Sequence, residues 1–122
     1  MSKRILVVED HEDNRQILRD LLGSAGFEML EAGDGEAALR MAAAERPDLI
    51  LMDVQLPVLD GYEATRRIKS DPRLKAIPII VVTSYALSGE EVRARSAGCD
   101  AYVAKPYSPR QLLAKIRTYL PA

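Results

Sequence analysis

Leu49-Ile50-Leu51-Met52-Asp53 is an apolar run that ends in a carboxylate. Val54, Gln55, Leu56 and Pro57 follow, then Asp60-Gly61, a turn signal. A short unbroken apolar run bounded by turn residues reads as a strand buried on both faces, the usual condition in a parallel sheet. Asp53 is then the residue at which a buried strand stops and becomes chemical.

The same pattern recurs on either side. Ile5-Leu6-Val7-Val8 ends in Glu9-Asp10, Ile79-Ile80-Val81-Val82 ends in Thr83-Ser84, and Ala101-Tyr102-Val103-Ala104 ends in Lys105. The segments between these runs read as helices. In an open parallel sheet the carboxyl ends of the strands share one edge, and ligands bind there. Asp10, Asp53, Thr83 and Lys105 are therefore expected to meet in space.

The rest of the chain fills in the alternation. A first strand of about Arg4 to Val8 is followed by the polar loop Glu9 to Asp13 and a helix to about Ala25, with Ile17, Leu18, Leu21 and Leu22 as its inner stripe. Gly23 and Gly26 bracket the end of that helix. Phe27 to Ala32 is the least apolar strand and so an expected edge. Asp34-Gly35 marks a turn into an alanine-rich helix, Glu36 to Glu45, which Pro47 stops. A third helix runs from Gly61 to about Ser70, and Asp71-Pro72 ends it. Pro78 opens the fourth strand. A fourth helix of about Ser88 to Ala97 has Val92 as its one sizeable inner residue and Ser88 as its N-cap. After a fifth strand of about Asp100 to Ala104, Ser108 caps a last helix with Leu112, Leu113, Ile116 and Leu120 inside. Strand–helix alternation repeated five times is an α/β fold, a three-layer sandwich around a parallel sheet.

Composition bounds what such a fold can do. The 122 residues suit a single domain spanning 1–122, with no repeats or linkers, and 48% of them are hydrophobic. A formal net charge of −1 argues against binding nucleic acid by bulk charge. The lone cysteine, Cys99, excludes an internal disulfide and fits a reducing compartment. Met1 to Arg4 leaves no room for a signal peptide, and no apolar stretch approaches the ~18 residues of a membrane span, so a cytoplasmic setting is expected.

At the shared edge, Glu9, Asp10 and Asp53 crowd together. Neighbouring strands lie ~4.8 Å apart, and two like charges at ~4 Å repel by roughly 4 kcal/mol at an effective dielectric of ~20. Lys105 offsets one charge and a divalent cation offsets two more. A few carboxylates as hard oxygen ligands suit Mg²⁺, which completes its shell with water and phosphate. A carboxylate beside such an ion can act as a nucleophile toward phosphoryl groups. Any one of these residues at a strand end reads as a solvated loop residue or helix cap; their conjunction on one edge reads as a site.

These residues resemble the receiver domain of two-component response regulators. The resemblance rests on Glu9-Asp10, Asp53, Pro57, Asp60-Gly61, Thr83 and Lys105-Pro106, each after its own strand, and it covers essentially the whole chain. It implies a flavodoxin-like sheet of order 2-1-3-4-5 and a phosphorylation-operated switch. Asp53 would accept a phosphoryl group from a sensor histidine kinase or a histidine phosphotransfer protein. Asp10, Asp53 and the Gln55 carbonyl would bind Mg²⁺, with Glu9 acting through water. Lys105 and Thr83 would contact the phosphoryl oxygens, and Tyr102 would move with Thr83 to alter the face built from the fourth helix, fifth strand and fifth helix, where a downstream partner binds. Gln55 and Tyr85 would tune the lifetime of the aspartyl phosphate, and Lys105-Pro106 would be cis. The domain would catalyse only its own phosphorylation and dephosphorylation.

Two other functions compete. An Mg²⁺-dependent phosphohydrolase of the haloacid-dehalogenase kind needs a second acid two residues after its nucleophile, and that position holds Gln55. A phosphorylation-independent binding module would usually have lost an acid, the hydroxyl or the lysine, and none is lost. Plainer roles suit the remaining residues. His11 reads as a surface loop residue rather than a ligand, Cys99 as a partly buried filler, and Tyr62 as packing. Arg66, Arg67, Lys69, Arg73 and Lys75 read as a solvated face.

Overall fold

Side chains of consecutive strand residues point to opposite faces. Strands this apolar therefore need cover on both sides, and the chain supplies it. The structure, a computed structural model, describes residues 2–83 and 90–121. The strands are β1 (Arg4–Val8), β2 (Glu28–Ala32), β3 (Leu49–Asp53), β4 (Ile79–Thr83) and β5 (Ala101–Ala104). They alternate with helices α1 (Glu12–Ser24), α2 (Gly35–Glu45), α3 (Gly61–Ser70), α4 (Glu90–Ser96) and α5 (Pro109–Tyr119). All neighbouring strands are parallel, in the order β2-β1-β3-β4-β5. β2, the least apolar strand, lies at one edge as expected.

Alternation along the strands divides the core in two. Leu6, Val8, Ile50, Met52, Ile79 and Val81 face α2, α3 and α4, where Ala38, Ala42, Ala64, Ile68, Ala94 and Ala97 close on them. Ile5, Val7, Leu49, Leu51, Ile80 and Val103 face α1 and α5, under Leu18, Leu22, Leu112, Ile116 and Leu120. Helix starts are set by their caps. Asp34 accepts from Ala37 N–H and Asp60 from Glu63 N–H, and Ser108 forms a reciprocal capping box with Gln111.

Three expectations are corrected. Ile17 is 64% exposed: the covered stripe of α1 runs through Leu18 and Leu22, and Ile17 lies one helical step off it. Val92 is 66% exposed, because Ala94 and Ala97 carry the buried face of α4 and Val92 sits ~200° around from Ala94. Lys69 is no part of a solvated face: its side chain is 15% exposed, and its Nζ pairs with Asp100 Oδ2 at 2.8 Å and donates to Ile77 C=O at 2.8 Å. Gly23 and Gly26 bracket the end of α1 as expected, and the φ of 89° at Gly26 suits glycine. The proposed cap Ser88 lies outside the described residues.

Candidate functional site

β1 and β3 are neighbours in register, Val8 opposite Met52, so the residues that follow them emerge side by side. Glu9 extends β1 by one bond, its N–H donating to Ala32 C=O at 3.0 Å. Asp53 closes β3 opposite Val82 of β4, and Thr83 closes β4 opposite Ala104 of β5. Lys105 N–H donates to Thr83 C=O at 2.7 Å, which fixes where the lysine leaves the sheet. Topology thus brings Glu9, Asp10, Asp53, Thr83 and Lys105 to one edge, as the strand endings predicted.

The side chains converge. Lys105 Nζ donates to Asp53 Oδ2 at 3.0 Å and lies 3.5 Å from Glu9 Oε2. Gln55 N–H donates to Asp53 Oδ1 at 3.0 Å. Glu9 Oε1 accepts from His11 N–H at 3.1 Å and from Asn14 Nδ2 at 3.3 Å. Glu9 and Asp53 are buried, Asp10 and Lys105 half-buried, and Thr83 is fully buried. The pleat separates two groups. Thr83 and Tyr102 share parity with Val81, so they face the α2–α3–α4 layer, and Tyr102 packs against that cluster. Asp53 and Glu9 share parity with the residues of the α1–α5 layer. Gln55 is exposed at the rim. Tyr85 lies outside the described residues. The Lys105-Pro106 bond is cis.

Two buried carboxyls in contact cannot both ionise freely. Burial pushes Asp53 up to about 6, and its hydrogen bond with Glu9 adds to the rise, while Lys105 opposes it. Burial also works against Glu9. Hydrogen bonds from Asp53 and the His11 backbone, with Lys105 and Asn14, outweigh it and hold Glu9 at about 2. Between pH about 2 and about 6 the pair therefore holds one proton beneath the Lys105 ammonium, and above that range both carboxyls are ionised. Burial opposes the Lys105 charge as well, yet the bond to Asp53 and the nearby Glu9 keep its pKa above the ordinary value.

The fit of a metal ion turns on Asp10. Its Oδ1 is buried and makes no hydrogen bond, with His11 Nδ1 3.1 Å away. Donor atoms of Glu9, Asp10 and His11 lie within 4.8 Å of one another. An unsatisfied buried carboxylate oxygen next to a second carboxylate suits a hard divalent cation. His11, expected only as a surface residue, is 71% exposed but turns its ring onto both acids.

Some residues were not singled out in advance. Asn14 and Arg15 reach back from the first turns of α1 to hold Glu9; Arg15 Nη1 donates to the Glu9 carbonyl at 2.7 Å. Their signal was their spacing from the acid pair, which brings them round to the strand end. Tyr107 lines a small cavity with Glu9, Asp53 and Lys105. Gly61, read only as a turn residue, packs so tightly on the Asp53 carbonyl that a β-carbon there would clash with it.

Comparisons with known proteins agree with this geometry. The model of the response regulator receiver domain matches residues 5–117. The polar-differentiation response regulator DivK of Brucella anthropi is 44% identical over 120 residues, covering 98% of each chain. The receiver domain of a sensor histidine kinase from Pseudomonas aeruginosa superposes with a TM-score of 0.92 at 37% identity over the whole of both chains, and its crystal structure holds a magnesium ion in the active-site cleft. A Vibrio cholerae chemotaxis protein, CheY4, superposes with a TM-score of 0.91 at 28% identity, covering 98% of this chain and 99% of its own. With strand order, acid cluster and sequence match all agreeing, the chain belongs to the response regulator receiver domain family of two-component signalling.

Proposed function

We propose that Asp53 is the phosphoacceptor of this receiver domain and that its phosphorylation operates a switch. The observation that carries the proposal is the setting of the Asp53 carboxylate. It is buried at the end of the central strand, held by Lys105 Nζ on one oxygen and by Gln55 N–H on the other. Such a carboxylate is oriented for in-line attack and cannot rotate freely. Its oxygen attacks phosphorus as the P–N bond of a phosphohistidine donor breaks. The donor leaves as an imidazole that takes up a proton. The donor is a sensor histidine kinase or a histidine phosphotransfer protein, and the encounter takes place in the cytoplasm.

The other residues divide the work. Asp10, Asp53 and the Gln55 carbonyl would hold Mg²⁺, with Glu9 acting through water. Bound there, the ion supplies positive charge to the transferring phosphoryl oxygens. Lys105, released from Asp53 as charge builds on the phosphoryl group, neutralises one oxygen, and the Thr83 hydroxyl donates to another. Asp53 attacks as the carboxylate, the form it takes above pH about 6, since a protonated carboxyl is a poor nucleophile. Gln55 and Tyr85 are the two positions that would set how long the acyl phosphate survives. Dephosphorylation, like phosphorylation, is then the domain's own chemistry, acting only on itself. Tyr102, on the same sheet face as Thr83, passes the change to the α4–β5–α5 surface, where a downstream protein binds.

Acetyl phosphate with Mg²⁺ tests the assignment. One phosphoryl mass should appear, labile to hydroxylamine and base as an acyl phosphate is, and Asp53→Asn should abolish it. A stable adduct on serine or threonine would sink the proposal.

A further inference from the structure

Arg15 bridges three groups at the mouth of the site. Its Nη1 donates to the Glu9 carbonyl at 2.7 Å, its Nη2 to Glu12 Oε2 at 2.7 Å, and its Nε lies 3.2 Å from Glu31 Oε1 on the edge strand β2. The side chain is only 20% exposed. Glu9 is gripped at both of its backbone groups, since its N–H bonds to Ala32 C=O in β2. Arg19 makes a second, two-pronged contact with the same Glu31, through Nε at 3.0 Å and Nη2 at 2.6 Å. The guanidinium is therefore held from behind and has little freedom to leave the carbonyl.

We propose that Arg15 is a positioning residue. By binding the Glu9 carbonyl it sets the direction of the Glu9–Asp10 turn, and so the affinity of the acid cluster for a divalent cation. Three features carry this. The Glu9 carbonyl belongs to the peptide that leads directly into Asp10, so rotating that peptide swings the Asp10 carboxylate. Asn14, one residue earlier on α1, binds the Glu9 side chain, so the carbonyl and the carboxylate are fixed from one helical turn. A planar fork holds the carbonyl and the two carboxylates in fixed, separate directions, whereas an ammonium on a flexible stem must gather its three acceptors around one atom. Groups that orient metal ligands typically change metal affinity by about 10–100-fold when removed.

The inference rests on the reading of Asp10 and Asp53 as the Mg²⁺ site, and the experiment separates the two. Mg²⁺ alone is titrated calorimetrically into the parent, Asp10→Asn, Arg15→Met, Arg15→Lys and Glu31→Gln, and metal-free melting is recorded for each. The parent should bind Mg²⁺ and Asp10→Asn should not. Arg15→Met should bind about tenfold more weakly, while its metal-free midpoint moves little. Arg15→Lys should remain weak although its charge is kept, and Glu31→Gln should fall between parent and Arg15→Met. If Asp10→Asn binds as the parent does, the metal-site reading fails and the role of Arg15 falls with it. If only Asp10→Asn is weak and Arg15→Met matches the parent, the role of Arg15 alone is overturned. Full affinity in Arg15→Lys would assign the effect to charge and equally overturn positioning.

Discussion

Asp53 ionises against its surroundings, and that has a consequence for stability. An aspartate in the unfolded chain gives up its proton near 3.8, whereas folded Asp53 holds it to about 6. Across that window the folded state binds the extra proton, so stability falls as pH rises and the loss is complete above about 6. Glu9 has the opposite sign. Its folded value of about 2 lies below the ordinary 4.5, so its contribution is present above 4.5 and is lost as pH falls toward 2. Together these two groups favour a metal-free maximum at pH about 4 to 5. Denaturation midpoints of the metal-free parent should drop from about pH 5 to about pH 7, and those of Asp53→Asn should not. At neutral pH the variant should melt above the parent; parallel profiles would show that the two carboxyls do not share a proton. Val58 is a second residue under stress. Its φ of 70° and the 2.7 Å bond from Leu59 N–H to Pro57 C=O describe the positive-φ γ-turn, a costly conformation for a β-branched residue. Val58 is 78% exposed, so its side chain contributes little packing. Val58→Gly should raise stability by about 1 kcal/mol, the relieved strain less the entropy that glycine adds to the unfolded chain. A urea midpoint no higher than the parent's would refute it.

Among the described residues, α4 buries less large apolar surface than α5. Its buried residues among those described are Ala94, with Ala97 just beyond its end, where α5 buries Leu112 and Ile116 and carries a capping box. Burial scales with apolar area, so two alanine methyls anchor far less than two branched side chains. The added tie is Arg93, whose guanidinium sits 4.9 Å from the centre of the Tyr62 ring on α3, a contact worth about 0.5–1 kcal/mol at a partly exposed site. Amide protons at the end of α4 should therefore exchange faster than those of α5 in the unphosphorylated protein, and faster again in Arg93→Ala. Equal protection of the two helices would contradict this. The weakness of α4 was legible in the sequence as a shortage of large apolar residues, but its orientation was not. Periodicity says which residues are apolar; it does not say which stripe the sheet covers, and Ile17 falls one step outside it while Val92 lies on the far side of its helix. The strands were legible because both of their faces are buried, leaving little choice of residue. The acids, the hydroxyl and the lysine were legible because a parallel sheet sends every strand end to one edge. Arg15 and Asn14 offered only their spacing from the acid pair, and that alone does not single them out, since their reach to Glu9 depends on how sharply the chain turns between β1 and α1.

On the proposed mechanism, the sheet of the whole molecule separates chemistry from readout. Glu9 and Asp53 share parity with the α1–α5 face, and Thr83 and Tyr102 belong to the α2–α3–α4 face. On the proposed mechanism a signal made at Asp53 crosses the sheet to reach α4, and Thr83 would carry it: it ends the strand beside Asp53, and its own carbonyl holds the backbone of Lys105. A hydrogen bond from Thr83 to a phosphoryl oxygen is charge-assisted and worth about 1.5–3 kcal/mol. A bias of about 2.7 kcal/mol changes a two-state ratio about a hundredfold, enough to turn a mostly-off protein mostly on. The weakly held α4 is the element such a bias can move. Thr83→Ala should therefore still take phosphate at Asp53, because neither the nucleophile nor Lys105 is altered, yet transmit little of it. Chemical shifts with and without beryllofluoride separate these steps. In the parent, changes should extend through Glu90–Ser96 and Tyr102; in Thr83→Ala they should stop at the loops carrying Asp10 and Asp53. The mechanism is falsified if the variant keeps the distant changes, or if the parent never makes them.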